Sequence, residues 1–339
     1  MMDYLLEVNH LKTYFYGSEK QEIPAVDDVS FKVKQGETLC IVGESGCGKS
    51  VTTLSVMKLV QTPPGKYVSG EILFEGKNLL EMSQREIRDL RCKEISMIFQ
   101  EPMTALNPVH KIGAQIAEAL IINEEMDKKA ARQKAADLLR MVGVPDPVRC
   151  ADSYPHQLSG GMRQRAMIAM AFSCNPKLLL ADEPTTALDV TVQAQILDLI
   201  QKLKEQHGMT VVFVTHDLGI VAEIADRVIV MYAGRVVEEA ACDQLFAKPL
   251  HPYTSGLLKC IPRIDDTRET LETIEGQVPT PADFPKGCRF HPRCPKAMEI
   301  CKSIMPEPVD AGGHLVSCHL YSHNDGEKKE QREVQLWKI

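Results

Sequence analysis

One short glycine-rich stretch constrains this chain more than any other feature: GESGCGKS, from Gly43 to Ser50. It follows an apolar run, TLCIV (38–42), and precedes a helical pattern, so the sequence predicts a strand, a phosphate-binding loop and a helix in that order. Glycines let backbone N–H groups curl around phosphates, and the positive end of the following helix attracts the same charge. In this interpretation the Lys49 amine reaches the β- and γ-phosphates of a nucleotide, and the Ser50 hydroxyl ligates Mg²⁺.

The rest of the chain predicts an α/β fold with a largely parallel sheet, because short apolar runs alternate with longer helical patterns up to about residue 245. Proline becomes frequent from residue 248 onward and the periodicity fades. We therefore expect a nucleotide-binding domain over 1–247, a small loop-rich module over 248–322, and a charged tail over 323–339. The expected strands are TLCIV (38–42), KLLLA (177–181), VVFVT (211–215) and RVIVMY (227–232), and two expected helices end at Gly143 and Gly208.

Composition narrows the class of protein. The 339 residues carry a formal net charge of -7, which argues against a general nucleic-acid coat. The sequence contains no apolar run of the roughly 18 residues that span a bilayer. Its N-terminus also lacks the features of a signal peptide, so we expect a cytoplasmic protein.

Two further motifs carry chemistry. The run LLLADEP ends in two carboxylates, which would bring Asp182 to Mg²⁺ and Glu183 to an attacking water; taken alone, they could also cap a helix. The run LSGGM (158–162) forms a second phosphate-shaped turn before a helix, although Gly160 and Gly161 could equally be a hinge. One domain does not need two cradles for one nucleotide, so the turn that includes Ser159 is expected to serve a nucleotide bound to a partner subunit.

Six motifs in order resemble the nucleotide-binding subunit of ABC transporters: GESGCGKS, MIFQEP (97–102), LSGGM, LLLADEP, TALD (186–189) and VTHD (214–217). The resemblance implies a P-loop ATPase with a RecA-like core, an antiparallel β subdomain and a helical subdomain. It implies that Gln100 senses the γ-phosphate and Mg²⁺, that His216 contacts the γ-phosphate, and that Asp189 lies at a dimer interface. It also implies that Phe15 stacks on adenine. The remaining loop residues expected to contact ATP are Ser45, Gly46, Cys47, Gly48 and Val51.

A finer resemblance comes from SMIFQEPMTALNPV, YPHQLSGGMRQR, LHPYT and GCRFHPRC, which together are similar to the ATP-binding subunits of bacterial oligopeptide and dipeptide importers. It implies ATP hydrolysis that energises peptide import from the cytoplasmic face of the inner or plasma membrane. The implied partners are a second ATPase subunit, a paralogue in preference to an identical copy, two permease subunits and an extracytoplasmic peptide-binding protein, with no nucleic acid. A soluble ABC ATPase that acts on nucleic acid, ribosomes or cofactor assembly is the alternative.

Two loop positions carry separate expectations. The stretch QEPMTALNP (100–108) combines proline and apolar residues after the nucleotide-sensing glutamine, so we expect it to dock a permease helix, with Leu106 as an accessible contact. Cys47 is interpreted as an incidental small residue whose thiolate the positive field of the loop would favour.

Four of the eleven cysteines cluster near the C-terminus: Cys288, Cys294, Cys301 and Cys318. In a reducing compartment such a cluster suggests metal more than disulfides. Zinc sites usually pair ligands two to four residues apart, a spacing that these cysteines do not have, although His291 and His319 could complete a zinc site. Disulfides or unliganded buried thiols would also account for the cluster. The resemblance to peptide importers favours a [4Fe-4S] cluster of structural role.

Overall fold

The computed structural model describes residues 4–17, 21–186, 188–260 and 273–322. The predicted tail over 323–339 lies outside these residues. The strands are β1 (Leu6–Tyr16), β2 (Glu22–Val33), β3 (Thr38–Val42), β4 (Gly65–Phe74), β5 (Lys77–Asn78), β6 (Ile95–Ile98), β7 (Leu178–Asp182), β8 (Thr210–Thr215), β9 (Arg227–Tyr232), β10 (Arg235–Ala241), β11 (Val309–Asp310) and β12 (Leu315–Val316).

The helices are α1 (Lys49–Val56), α2 (Gln84–Leu90), α3 (Pro102–Ala105), α4 (Ile112–Asn123), α5 (Lys128–Met141), α6 (Pro147–Asp152), α7 (Gly160–Ala171), α8 (Val190–His207), α9 (Leu218–Ile224), α10 (Cys242–Ala247) and α11 (Pro252–Lys259). Short 3₁₀ turns begin at Pro155, Pro281, His291 and Glu299.

A parallel sheet in the order β6-β7-β8-β3-β9 forms the centre of the molecule. Its strands are mostly apolar, as expected for a sheet with both faces buried. In β3, Cys40 and Val42 join one core cluster, whereas Leu39 and Ile41 join the other. The four predicted strands are confirmed, with ends that differ by at most one residue. The α/β prediction is therefore confirmed.

Two groups of elements pack against this sheet, as the resemblance to ABC transporter subunits implies. The antiparallel sheet β2-β1-β4-β5 contributes residues such as Leu6 and Ile72 to the second core cluster. Helices α4 to α7 pack on one another and contribute to the first cluster.

The two predicted helices follow ordinary capping chemistry. In α5, the predicted apolar face of Ala131, Ala135, Leu138, Leu139 and Val142 is buried. Asp127 caps the start of this helix through the N–H groups of Lys129 and Ala130, and Gly143 follows its end with φ 75°. Helix α8 ends at Gly208, which adopts the left-handed conformation with φ 63°.

The C-terminal segment joins the central sheet. Strand β12 pairs antiparallel with β10, and β11 pairs with β12, so the sheet has eight strands within the described residues. The rings of Tyr253 on α11 and of Phe290 pack against Tyr232 at centroid distances of 4.7 and 5.2 Å. The domain boundary at residue 247 stays a prediction. In the described part of the chain, the helices are all too short or too polar to cross a bilayer.

Candidate nucleotide-binding site

Backbone geometry at the phosphate loop requires glycine. Gly43 has φ 154°, and a Cβ atom there would lie 2.2 Å from the Met231 carbonyl oxygen. Gly48 has φ 105°, and its Cβ would lie 2.4 Å from the carbonyl oxygen of Ala25. Both the left-handed conformation and the close approach exclude side chains. The loop is thus held in shape by β9 on one side and β2 on the other.

Lys49, the first residue of α1, points its amine into this loop. The Nζ donates to the carbonyl oxygens of Gly43 at 2.7 Å and Glu44 at 3.1 Å. The next residue, Ser50, donates its hydroxyl to Asp182 Oδ1 at 3.0 Å. A hydroxyl and a carboxylate from two separate elements therefore meet beside the loop, and such oxygens are the ligands that Mg²⁺ prefers.

Glu183 lies next to Asp182 at the end of β7 and makes contacts from three directions. Its Oε2 accepts from Gln100 Nε2 at 3.0 Å and from the Thr186 hydroxyl at 2.9 Å, while Oε1 lies 3.3 Å from His216 Nδ1. Glu183 also adopts φ 45°, which is uncommon for a residue with a side chain and is typical of functional sites. The structure thus brings Gln100 and His216, which belong to separate sequence motifs, to the same carboxylate.

The pKa values of the adjacent Asp182 and Glu183 carboxyl groups are shifted in opposite directions. Burial raises the pKa of Asp182, and the hydrogen bond from Ser50 offsets only part of that shift. Burial also acts to raise the pKa of Glu183, but hydrogen bonds from His216 and Thr186 outweigh it and the pKa is lowered. Glu183 is therefore ionised at neutral pH and can accept a proton or orient a water.

The tip of the loop is open. Ser45 and Gly46 are exposed, whereas Val51 lies half-buried in α1. Cys47 is fully buried under the loop, and burial raises the pKa of its thiol although Lys49 acts to lower it. Lys49 thus acts in favour of the Cys47 thiolate, as expected, but desolvation outweighs this effect.

The second glycine turn lies at another surface. Ser159 caps α7 by accepting from the Met162 N–H at 3.4 Å, and Asp189 caps α8 by accepting from the Val192 N–H at 2.9 Å. The two caps are neighbours, because a Cβ on Gly161 would lie 3.1 Å from the Val192 side chain. Ser159, Gly160 and Asp189 are exposed or half-buried at this surface.

The predicted adenine contact lies on β1. Phe15 is half-buried, and its ring is 3.3 Å from the position that a Cβ on Gly65 would take. The hydroxyl groups of the flanking tyrosines are engaged, Tyr14 with Asp27 at 2.7 Å and Tyr16 with Glu22 at 3.4 Å. Phe15 is the aromatic residue of the three that has no polar group to satisfy.

The stretch after Gln100 differs from expectation at one position. Leu106 is only 2% exposed and packs in the first core cluster, so it is not an accessible contact. Turn residues on either side of it made the segment look like a surface loop. The exposed apolar residues here are Met103 and Val109, at 54% and 72%.

The four C-terminal cysteines lie in adjoining turns. The Cys288 N–H donates to the Cys301 carbonyl at 2.9 Å, and Gly287, with φ 68°, allows the two stretches of chain to approach. Burial, with a smaller contribution from the neighbouring cysteines, raises the pKa of the Cys288 thiol to about 11 and that of Cys318 to about 12. All eleven cysteines are free thiols.

A metal centre is not formed at these cysteines as they stand. Across residues 4–17, 21–186, 188–260 and 273–322, no three His, Cys, Asp or Glu side chains are arranged to hold a metal ion. The proposed zinc ligands His291 and His319 each place a ring nitrogen 2.9 Å from a backbone carbonyl, of Cys288 and Ile304 respectively. The prediction of a cysteine metal module therefore receives no support from the geometry.

The sequence patterns did not indicate three residues of the site: Thr186, Glu44 and Arg293. Thr186 donates to Glu183, and it lies in the TALD motif, for which a role was expected only at Asp189. Glu44 occupies a variable position of the phosphate loop, yet it is bound by Arg293, 249 residues away. A sequence pattern has no signal for a contact of that range.

Family models match two parts of the chain. One, described as ABC transporter, covers residues 26–186, and another, described as oligopeptide/dipeptide transporter, C-terminal region, covers residues 237–301. A third, described as an AAA domain of a putative AbiEii toxin, covers residues 151–222 and overlaps the first.

Individual proteins and structures agree with the first two models. The oligopeptide transport ATP-binding protein AppD of Bacillus subtilis is 55% identical over 328 residues, 96% of this chain and 100% of that protein. The dipeptide transport ATP-binding protein DppD of Haemophilus influenzae is 47% identical over 326 residues, 96% of this chain and 98% of that protein. The dimeric structure of a bacterial ABC transporter cassette matches with a TM-score of 0.63 and 31% identity, over 70% of this chain and 98% of the cassette.

Proposed function

This chain belongs to the family of ATP-binding proteins of oligopeptide and dipeptide ABC transporters, and we propose that it hydrolyses ATP to drive peptide uptake. The observation that carries the proposal is the convergence of Ser50, Asp182 and Glu183 at one glycine-held loop. The match of residues 237–301 to the C-terminal region of peptide transporters supports the substrate class. The alternative, a soluble ABC ATPase that acts on nucleic acid or ribosomes, gains no support from the relatives.

Each residue of the site then has a role. Lys49 binds the β- and γ-phosphates, which would replace the two carbonyls that its amine now contacts. Glu183 orients and polarises the attacking water, because its lowered pKa keeps it ionised. His216 and Gln100 flank Glu183 and contact the γ-phosphate side.

Mg²⁺ fits the oxygen ligands that are present. Ser50, Asp182 and Gln100 would hold the ion; Ser50 contacts Asp182, and Gln100 contacts the adjacent Glu183. When bound, Mg²⁺ supplies positive charge that offsets the phosphates. The remaining predicted contacts, Ser45, Gly46, Cys47, Gly48 and Val51, belong to the loop and the first turn of α1; Phe15 stacks on adenine.

A second ATPase subunit completes the site. Ser159, Gly160 and Asp189 form caps whose hydrogen bonds are local, so their surface is free to meet the γ-phosphate held by a partner. The related cassette that crystallised as a dimer supports this arrangement. We infer that the partner is a paralogue in preference to an identical copy.

Membrane partners would dock beside Gln100. Met103 and Val109 are exposed apolar side chains on the segment that directly follows this nucleotide-sensing residue. Such a surface suits a cytoplasmic helix of a permease. The complex would contain two permease subunits and an extracytoplasmic peptide-binding protein, with this chain peripheral at the cytoplasmic face of the membrane.

The proposed [4Fe-4S] cluster rests on the four cysteines and on the resemblance to peptide importers. Their spacing and their free thiols support it. A cubane cluster needs four thiolates, and it is larger than one ion, so its ligands converge less closely than those of zinc. Anaerobically purified protein should contain about four irons per chain and absorb near 400 nm, with loss of both in Cys294→Ser. Colourless protein with one zinc per chain would refute the cluster.

Affinity purification from detergent-solubilised membranes tests the transport proposal. The tagged chain should recover multi-span permeases and a second ATPase subunit. Cysteine at Met103 or Val109 should crosslink to a permease, whereas cysteine at Glu205 on the exposed face of α8 serves as the control. Recovery of ribosomes or DNA without permeases would contradict the proposal.

A further inference from the structure

Glu44 of the phosphate loop is held from the C-terminal part of the chain. Arg293 Nη1 donates to both carboxylate oxygens of Glu44, at 2.9 and 3.2 Å. The backbone N–H of Glu44 donates to the Tyr253 hydroxyl at 2.9 Å. Leu257, one helical turn further along α11, lines a small cavity together with Gly43 and Glu44. The loop that should bind ATP is therefore supported by residues outside the core cassette.

Contacts other than Glu44 also hold the Arg293 side chain in place. Its side chain is only 6% exposed. The Nε donates to the Glu275 carbonyl at 2.9 Å and Nη2 to the Ile274 carbonyl at 3.2 Å, while the guanidinium lies 5.8 Å from the centre of the Tyr232 ring. An arginine held on several sides presents its charge in one direction and loses little entropy when it pairs. Lysine could not make these contacts together.

A second arginine in the same segment supports the loop indirectly, through residues that contact it. Arg289 donates to the Ala233 carbonyl and to Asp27. Asp27 in turn donates its backbone N–H to the Gly234 carbonyl, and Gly234 donates its own to the Cys47 carbonyl at 2.9 Å. Both arginines connect the cysteine-containing segment to the phosphate loop.

Because Glu44 is negatively charged, its contact with Arg293 should affect the affinity for ATP. The Glu44 carbonyl oxygen contacts Lys49, so its backbone belongs to the cradle itself. A carboxylate without a partner at this place would repel the triphosphate in a partly buried setting, where screening is weak. The guanidinium of Arg293 offsets that charge.

We propose that Arg293 is a positioning residue for ATP: it neutralises Glu44 and fixes the phosphate loop from the C-terminal segment. The proposal deepens the proposed function and rests on it. It makes the C-terminal segment part of the nucleotide site, although no atom of Arg293 needs to touch the nucleotide. Its signature is a loss of ATP affinity that depends on which residue occupies position 44.

A double-mutant cycle on the full-length chain tests this proposal. Affinity for MgATP is measured by displacement of a fluorescent ATP analogue, and KM and kcat are measured in the assembled transporter. Arg293→Ala should weaken ATP binding roughly ten- to hundredfold, as loss of a partner to a partly buried charge does, and raise KM more than it lowers kcat. The same substitution in a Glu44→Gln background should cost less than about threefold, because no carboxylate is left unpaired.

A second variant keeps the test decisive if Arg293→Ala fails to fold. Glu44→Asp retains the charge but withdraws it from Arg293, so it should weaken ATP binding more than Glu44→Gln, which leaves no carboxylate unpaired. Asp137→Ala, which breaks an exposed ion pair with Arg140 on α5, is the matched control and should change nothing.

Equal losses for Arg293→Ala in both backgrounds would show a merely structural arginine and overturn the proposal. Unchanged affinity in Arg293→Ala or in Glu44→Asp would overturn it as well. A wild-type chain that binds no ATP would instead refute the proposed function, so the two failures are distinguishable.

Discussion

The strands around the phosphate loop and the C-terminal segment over 273–322 reach the same site by different physical means. In the first region, buried parallel strands deliver Asp182 and Glu183 at the end of β7, and glycines fix the loop by backbone geometry. In the second, a turn carries Arg289 and a 3₁₀ segment carries Arg293. Arg293 contacts the loop directly at Glu44, whereas Arg289 supports it through Ala233 and Asp27. Regular secondary structure therefore positions the catalytic carboxylates, whereas long-range ion pairs support the phosphate loop.

The largest effect is expected in the first region. Glu183→Gln should lower the ATPase kcat of the assembled transporter on the order of a hundredfold or more, since it removes the group that polarises water. ATP should still bind, and the ATPase pair should stay closed. Turnover measured by phosphate release, with Glu205→Gln on α8 as the control, checks this. Hydrolysis near the wild-type rate in Glu183→Gln would mean that the catalytic group lies elsewhere.

The next largest effect is expected from a substitution at a glycine of the phosphate loop. Gly48→Ala should lower ATP affinity roughly ten- to hundredfold, because a Cβ 2.4 Å from the Ala25 carbonyl displaces the loop and its charged hydrogen bonds. Gly208→Ala is the control, since Gly208 also has positive φ but nothing lies within 4 Å of its Cβ position. Both variants strain the backbone, but only Gly48 belongs to the phosphate loop. Only Gly48→Ala should therefore weaken ATP binding in a titration. Equal affinity in the two would count against a loop held by close approach.

A pH experiment addresses the start of α11, the helix whose Tyr253 accepts the backbone N–H of Glu44. Burial lowers the pKa of His251 to about 4, and Glu238, which accepts its backbone N–H, offsets only part of this. The unfolded chain therefore binds a proton below pH 6.5 that the folded chain does not, so stability is lost as pH falls from about 6.5 to about 4. The loss approaches roughly 3 kcal/mol at about 1.4 kcal/mol per pH unit.

His251→Asn removes this titration and retains a side chain that can cap α11 through the Tyr253 N–H. Urea unfolding at pH 7.5 and 4.5 should show a smaller acid loss in this variant than in the wild type. His207→Asn, at an exposed site on α8, should keep the full loss. An identical acid loss in His251→Asn and the wild type would exclude His251 as its source.

The smallest effect is expected at Cys47, beneath the loop. Cys47→Ala should cost about 1 kcal/mol of stability through a small cavity and leave ATPase activity within about twofold, because the buried thiol has a raised pKa. Thermal unfolding and phosphate release measure the two quantities. A larger fall in activity, or rapid alkylation of Cys47 in the folded chain, would show that the thiol has a role in the loop.

These differences also explain what the sequence could predict. Strands β3, β7, β8 and β9 are short apolar runs between clear turn signals, and the Lys49, Asp182 and Glu183 motifs are local patterns, so both are predictable. The burial of Leu106 is not, because its neighbours are turn residues and its packing depends on the helical subdomain. The pairing of Glu44 with Arg293 depends on how the C-terminal segment folds back, which no local pattern encodes.

ATP-dependent peptide uptake by the purified complex tests the central claim most directly. The complex is reconstituted into proteoliposomes with ATP on the side of this chain, and entry of a labelled peptide is followed with wild-type protein and with Glu183→Gln. The account predicts peptide accumulation that requires ATP and that Glu183→Gln abolishes. ATP hydrolysis by the wild type without any peptide accumulation, across peptides of several lengths, would contradict it.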